Sequence, residues 1–459
     1  MITLPFALCW TCYYSSRVAD RYYWKGNSLL ILLYAIVYLI YGRIYDSFLI
    51  SLNRISEMVY SQSLAALITN GILYIVTWLL MKRLPNILPL FLVFGCQILL
   101  SALWSGLAHR TYYRLFSAKS SALVYSERHR LDALINEYGL DKKFDMQIKA
   151  KVEDCIQDLS ILDQAEVVFL SGIRSHERNI ILKYCVAQNK RMYLIPRIGD
   201  VIMSGARQMH MFHLPVLSVE RYAPAPEYLF VKRTFDILIA LSALIVTSPV
   251  LLITAIAVKT TDHGPAFYKQ VRLTKDGKEF QLLKFRSMRV DAEKDGIARL
   301  STGEQDNRIT PVGRFIRKIR IDELPQLFNI LSGTMSIVGP RPERPEIARQ
   351  YMEELPEFEL RLQAKAGLTG YAQVYGKYNT TPYDKLQMDL MYIAHPSLAE
   401  DVKIMFATVK ILFMKESTEG VTGITAVKKE TPETEFLSGS TDSVTGATRK
   451  LRGEKACGM

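Results

Sequence analysis

The chain is short of cysteine, of acidic charge and of the glycine turn that a nucleotide-binding sheet would carry, and each shortage excludes something. Its six cysteines (Cys9, Cys12, Cys96, Cys155, Cys185 and Cys457) are scattered over 459 residues, which is no framework for stapling a small secreted fold and fits a reducing, cytoplasm-facing setting. The Cys9-x-x-Cys12 pair lies in an apolar stretch with no second ligand pair in reach, so two membrane-buried thiols are favoured over a zinc or redox site. Acids fall short of bases, 45 against 57, leaving a net charge of +12. That excess suits nucleic acid, an anionic membrane face or a phosphorylated substrate. No helix-turn-helix, zinc or aromatic RNA-binding motif is present, and the hydrophobic segments argue against nucleic acid as a partner. There is no internal repeat. Charged residues reach only 22% against 49% apolar, and a mean hydropathy of +0.08 places part of the chain in lipid.

Apolar runs occur at 1–14, 28–41, about 60–81 and about 87–107. A membrane span takes roughly 20 residues, so the last two qualify and the first two are short; the expectation is a helical transmembrane bundle over 1–110 with three or four spans. The first run has no basic leader and no small-residue cleavage site, which reads as an uncleaved anchor and not a signal peptide. Arg17, Arg21, Arg43, Arg54, Lys82 and Arg83 spread positive charge over every short loop. Arg110, Arg114 and Lys119 follow the last run and place what comes next in the cytoplasm.

Over 118–222 short apolar strands (122–125, 167–170, 192–195) alternate with helical stretches (128–138, 177–188), an α/β pattern. The first strand runs into Val124-Tyr-Ser-Glu-Arg-His129, with no G-x-G-x-x-G to let backbone approach a pyrophosphate. This predicts a degenerate Rossmann-like domain with a structural or regulatory role. At the far end, 415–459 is a Thr, Ser, Glu, Lys and Gly mixture that reads as a disordered tail.

Between them, Lys232 and Arg233 open an apolar stretch over 237–258 that is interrupted by Ser248-Pro249. Proline removes a backbone donor, and in lipid the freed carbonyl of Ile245 needs a partner, which the Ser248 hydroxyl can supply; a sharp kink is expected. Basic residues bracket both ends, with Lys259, Lys269 and Arg272 beyond the stretch, which argues that both ends sit on one anionic face. A re-entrant helix over 235–258 is the expectation; a plain kinked transmembrane helix is the alternative by length alone.

The densest chemistry lies in Arg314-Phe-Ile-Arg317-Lys318-Ile-Arg320-Ile-Asp322-Glu323-Leu-Pro-Gln326, a basic helix ending at two adjacent carboxylates. One account makes Asp322 an N-cap and Glu323 a first-turn residue. The other makes them, in a cationic setting that depresses the carboxyl pKa, an ionised nucleophile and a Mg²⁺ ligand pair. Further on, Gly339-Pro-Arg341-Pro342 fixes the backbone on both sides of a guanidinium, as bidentate phosphate binding wants, with a rigid surface turn as the bland reading. Upstream, Phe280-Gln-Leu-Leu-Lys284-Phe-Arg286 alternates as a strand delivering Lys284 and Arg286 to one face.

Together these motifs resemble the bacterial sugar transferase family, the monotopic phosphoglycosyl transferases, over roughly 228–413. The residues that carry the likeness are Lys232-Arg233, Ser248-Pro249, Gln270-Val-Arg272, Lys284-Phe-Arg286-Ser-Met, Arg308-Ile-Thr-Pro-Val-Gly-Arg314, Asp322-Glu323-Leu-Pro-Gln, Gly339-Pro-Arg341-Pro, Gly367-Leu-Thr-Gly370 and Asp389. The bundle and central domain resemble the long-form members. Thr274 and Ala366 stand where the family commonly has Gly and Pro, and Tyr371, Tyr375 and Lys377 replace the usual Trp, Asn and Arg, departures that bear on loop shape and sugar choice. The resemblance implies a mixed membrane protein with a C-terminal α+β catalytic domain at 228–414, in the bacterial inner membrane with that domain facing the cytoplasm. It implies transfer of a sugar 1-phosphate from a UDP-sugar to undecaprenyl phosphate with release of UMP, the first step of exopolysaccharide, capsule or O-antigen synthesis. Asp322 is then the nucleophile and, with Glu323, holds Mg²⁺. Lys284, Arg286, Arg308, Arg317, Arg341 and Asp389 are the expected substrate-binding residues, the bilayer is a further partner, and a homodimer is an open assembly. A non-catalytic scaffold or regulator of polysaccharide assembly is the alternative.

Overall fold

The computed structural model describes residues 1–18, 24–126, 135, 140–222, 224–289, 308–376 and 381–412. Arg21, the expected helix at 128–138 apart from Ile135, Lys377, Cys457 and the tail at 415–459 lie outside the described residues.

The N-terminal bundle opens with α1 (Thr3–Cys9), which continues as a π-helical turn, Trp10–Tyr14. Even with the π-helical turn included, the run from Thr3 to Tyr14 rises less than about 20 Å, short of the roughly 30 Å of a bilayer core. The first apolar run therefore folds as a wedge, with Phe6, Trp10 and Tyr14 buried. The three helices that follow, α2 (Trp24–Ile44), α3 (Ile55–Met81) and α4 (Leu88–Leu115), are each long and apolar enough to cross a membrane. Lipid offers no hydrogen bonds, so polar side chains in such a bundle have to satisfy one another. Three of them do so in a closed ring: Tyr34 Oη donates to Asn70 Oδ1 (2.9 Å), Asn70 Nδ2 to Gln97 Oε1 (2.8 Å) and Gln97 Nε2 to Tyr34 Oη (2.7 Å), while Tyr38, Ser61 and Ser105 keep buried hydroxyls without a partner among the described residues.

The central unit is a parallel sheet of β1 (Lys119–Tyr125), β2 (Phe144–Lys151), β3 (Val167–Ser171) and β4 (Arg191–Leu194), in the order β2-β1-β3-β4. Helices α5 (Val152–Gln157), α6 (Ser175–Ala187) and α7 (Ile198–Ser204) alternate with the strands. The three expected strands are there; β2 is additional. It sits at the sheet edge, and its sequence Phe-Asp-Met-Gln-Ile-Lys-Ala-Lys interleaves polar residues, so no apolar run betrays it. A hairpin of β5 (Arg207–Met211) and β6 (Leu214–Ser218) closes the unit.

Then comes α8 (Pro226–Asp262), 37 residues with Pro249 inside. The chain does not break at the expected kink; Ser248 Oγ donates to Ile245 O at 2.8 Å and replaces the lost backbone donor as anticipated. Both halves of α8 pack on the same domain. Ala240 and Leu244 join a core with Leu327, Ile330 and Ile337, while Val258 packs on Phe285 and Ile316. Lys232 and Arg233 turn inward instead of toward headgroups: Lys232 Nζ pairs with Asp401 (3.0 Å), and Arg233 donates to the carbonyls of Ile330 and Leu331. The outer face keeps Leu238, Leu241, Ile245, Val246, Leu252, Ile253 and Ile256 exposed.

The rest of this domain is an antiparallel pair, β7 (Phe267–Leu273) and β8 (Glu279–Phe285), then α9 (Pro311–Lys318) and α10 (Gln326–Ser332), a short parallel pair β9 (Ser336–Val338) and β10 (Gly367–Thr369), and helices α11 (Pro345–Glu354), α12 (Tyr371–Val374), α13 (Pro382–Ala394) and α14 (Leu398–Leu412). The last helix returns to the bundle. Phe406 lies edge-on to Tyr41 and Tyr45, with ring centroids 5.0 and 6.1 Å away, and Tyr60 Oη donates to Lys410 O.

Candidate active site

The acidic pair is reached through a strained turn. Helix α9 stops at Ile319, and Arg320 adopts φ 54°, ψ 24°, a left-handed conformation that costs a residue with a Cβ about 1–2 kcal/mol. That reversal sets Ile321–Glu323 in a single 3₁₀ turn before α10 begins. Asp322 does not cap α10: the capping position is Pro325, with no side-chain cap bond. The capping account of the pair therefore falls away.

The two carboxylates are held differently. Glu323, 15% exposed at its side chain, faces Arg341 Nη2 at 3.3 Å and Lys284 Nζ at 3.7 Å through Oε1, and Arg320 Nη1 at 3.7 Å through Oε2. Burial pushes its pKa up, but these three cations outweigh burial and hold it at about 2. Half-buried Asp322 has no hydrogen bond or ion pair among the described residues. Burial first, and the Glu323 charge second, raise it to about 6 against the pull of Lys284, Arg317 and Arg320. The expected depression of the pKa thus holds for Glu323 and is reversed for Asp322, because the cations spend their field on the residue they touch.

Lys284 comes from β8 and Arg341 from the turn after β9, so two separate strand ends converge on Glu323. Arg317 on α9 lies close enough to lower Asp322, and its Nη1 is buried without a hydrogen-bond partner among the described residues. Arg286, 7% exposed, and Arg308 flank the 290–307 stretch: the Arg286 N–H donates to Ala266 O, and Arg308 O accepts from Arg289 N. Asp389 is not brought to the pair. It is 1% exposed and its Oδ2 lies 2.7 Å from Arg361, which in turn donates to Arg341 O at 2.9 Å. Asp389 therefore steadies the arginine turn from behind.

That turn is fixed by more than its prolines. Arg361 captures the carbonyl of Arg341 and Arg272 that of Pro342 (3.0 Å), while Glu343 lies between the two guanidiniums, 3.6 and 3.9 Å away. Gly339, Gly367 and Gly370 press backbone on backbone; a Cβ on Gly339 would meet Lys365 O at 2.2 Å, and one on Gly370 would meet Gly339 O at 2.2 Å. Only glycine permits this approach. It zips the arginine turn to the segment carrying Tyr371 and Gln373. Two pairs of departures from the family pattern prove to be neighbours: the Ala366 N–H donates to Thr274 Oγ1 (3.2 Å), and Tyr371 lies against Tyr375, centroids 5.2 Å apart.

The resulting cleft is lined by Arg272, Lys284, Glu323, Gln326, Arg341 and Gln373, among others. Arg272, Glu343, Arg361, Gln326 and Gln373 were not among the expected site residues. Arg361 lies in an irregular 3₁₀ stretch, Pro356–Gln363, where no spacing marks it.

The domain thus carries, along an apolar helix, a cationic cleft lined by clamped Glu323, with the unclamped carboxyl of Asp322 next to it in the chain. The family model described as bacterial sugar transferase matches residues 227–415. A UDP-N-acetylgalactosamine-undecaprenyl-phosphate N-acetylgalactosaminephosphotransferase of Aeromonas hydrophila is 37% identical over 50% of this chain and 54% of its own length. A UDP-glucose:undecaprenyl-phosphate glucose-1-phosphate transferase of Klebsiella pneumoniae is 42% identical over 40% of this chain and 41% of its own. Its counterpart of the same name in Caulobacter vibrioides is 39% identical over 40% of this chain and 71% of its own length. The chain belongs to the bacterial sugar transferase family. The shared part spans about half of the first relative and less of the second.

Proposed function

We propose that this chain transfers a sugar 1-phosphate from a UDP-sugar to undecaprenyl phosphate, as the names of its relatives describe for them, through a phosphosugar-aspartate intermediate. The observation that carries this reading is the contrast between Glu323, saturated by three cations, and Asp322, uncommitted beside it. An Asp322 oxygen attacks the β-phosphorus; the bond from that phosphorus to the bridging oxygen breaks, and UMP leaves with the oxygen. A phosphate oxygen of the lipid then attacks the same phosphorus, and the Asp322 carboxylate is the leaving group. Phosphoryl transfer is mostly positioning and charge neutralisation, which Lys284, Arg317 and Arg341 are placed to supply. With one substrate dissolved and the other in the bilayer, a covalent relay lets them react in turn.

Asp322 and Glu323 offer hard oxygen donors, and no cluster of three or more metal-ligating side chains exists among the described residues. That donor set fits Mg²⁺ taking its remaining ligands from substrate phosphates and water. Asp322 is the freer ligand; the ion would neutralise diphosphate charge.

The packing of both halves of α8 on one domain supports a re-entrant course, entering and leaving on the cytoplasmic face of the inner membrane. The central sheet, its strands ordered β2-β1-β3-β4, supports a dinucleotide-type relic without its glycine turn. The role of scaffold alone is not favoured, since a scaffold has no use for an uncommitted half-buried acid. The test is to incubate purified protein with a UDP-sugar labelled in the sugar, quench in acid and look for label on the protein. The reading requires label on the wild type that undecaprenyl phosphate chases off, and none on Asp322→Asn; an unlabelled wild type that still releases UMP refutes the covalent route.

A further inference from the structure

Two neutral amides stand in the cleft with hydrogen-bonding capacity to spare. Gln326 is 4% exposed, lines the cleft with Lys284, Glu323 and Arg341, and makes no side-chain hydrogen bond among the described residues. Gln373, from the other side, donates Nε2 to Leu368 O at 3.0 Å, which fixes which end of the amide is which. Its Oε1 is buried with no partner. A buried polar atom is nearly always paired, so the Gln373 oxygen, with the unengaged amide of Gln326 lining the same cleft, asks for a ligand. The glycine contacts that join the arginine turn to the Gln373 segment hold that amide in a set relation to Arg341.

The chemistry of the cleft sorts the ligand. Phosphate oxygens match Arg272, Lys284 and Arg341, whereas uncharged amides that both give and take hydrogen bonds match hydroxyls. Direction sorts it further. In-line displacement sends the leaving nucleotide away from the attacking oxygen, so groups on the segment of Asp322 flank what stays on phosphorus, which is the sugar. Gln326 follows Asp322 in that same segment.

Resting on the reading above, we propose that Gln326 and Gln373 hydrogen-bond hydroxyls of the sugar being transferred. The full chain, in detergent with undecaprenyl phosphate, is assayed for UMP release with a UDP-sugar it accepts and with monodeoxy analogues of that sugar. Gln326→Met and Gln373→Met keep the volume and remove the amide. Each should raise KM about tenfold, as losing one hydrogen bond in a closed site does, and should no longer distinguish at least one deoxy analogue from the parent sugar. Inhibition by UMP should be unchanged. Weakening of UMP by the same factor would overturn the proposal by giving the amides to the nucleotide, and an unchanged KM with discrimination intact would overturn it outright. Thermal unfolding checks both variants, and if one does not fold the other carries the same expectation. A wild-type protein that releases no UMP from any UDP-sugar would instead refute the transferase reading.

Discussion

The C-terminal domain contains two groups of carboxylates and cations made from the same residue types, and they are wired in opposite ways. Around Arg361, both Asp389 and Glu343 are spoken for: Asp389 by one buried guanidinium, Glu343 by Arg361, Arg272 and Lys385. Around Asp322 the cations converge on Glu323 and leave its neighbour unheld. Burial raises the pKa of unheld Asp322 to about 6 and raises that of Asp389 as well, so contact and not protonation separates the two groups. Arg341 belongs to both groups, its side chain facing Glu323 and its carbonyl held by Arg361.

Substitutions should separate the two groups by readout. Asp322→Asn should abolish labelling and lower turnover by about 10⁴-fold or more, as nucleophile removal does, while leaving the melting temperature unmoved because no ion pair is lost. Asp389→Asn should do the reverse in kind. It removes the nearer of the two carboxylates on Arg361, leaving Glu343 at 3.6 Å, and should cost about 1.5–3 kcal/mol of stability, as losing a charge-assisted hydrogen bond does, read by denaturant unfolding of the detergent-solubilised protein.

A third test uses pH. The proposed route needs ionised Asp322, so labelling should fall as pH drops through about 6 and level off above it. Glu323→Gln removes the second cause of that elevation and frees Lys284 and Arg341 to act on Asp322, so the falling limb should move to lower pH; a limb that stays in place would mean the two acids are not coupled. The smallest effect belongs to Arg320→Gly. The lost contact with Glu323 comes from a side chain 39% exposed and is worth little, whereas relief of the positive φ gains about 1–2 kcal/mol, less about 0.4–1 kcal/mol for the entropy of glycine. The melting temperature should hold or rise slightly, with labelling retained.

Much of this was legible in the residues. Helices α3 and α4 follow from apolar runs of spanning length, whereas α2 extends a run that read as short, and the Ser248 hydroxyl bond to Ile245 O follows from what proline removes. The convergence of Lys284 and Arg341 on the acidic pair was readable because their motifs already looked like one site. What stayed hidden depends on three-dimensional wiring. Nothing in the spacing says that Glu323 collects three cations and Asp322 none, or that Asp389 pairs with Arg361. The wedge of α1 was illegible for a related reason: length excludes a span, but only packing shows where fourteen apolar residues go instead. Thr274 and Ala366 look like separate irregularities until a hydrogen bond joins them; a proline replaced by alanine exposes an N–H, and the threonine supplies its acceptor.

The return of α14 to the bundle makes the domain a table with two legs. One leg is the apolar flank of α8, and the other is Phe406 lodged against Tyr41 and Tyr45 with Lys410 O tied to Tyr60. A platform braced at two separate places resists rocking, so the acidic pair and the arginine turn keep one height relative to the bundle. On the proposed reaction it is the lipid acceptor that has to glide sideways, to a stationary workbench.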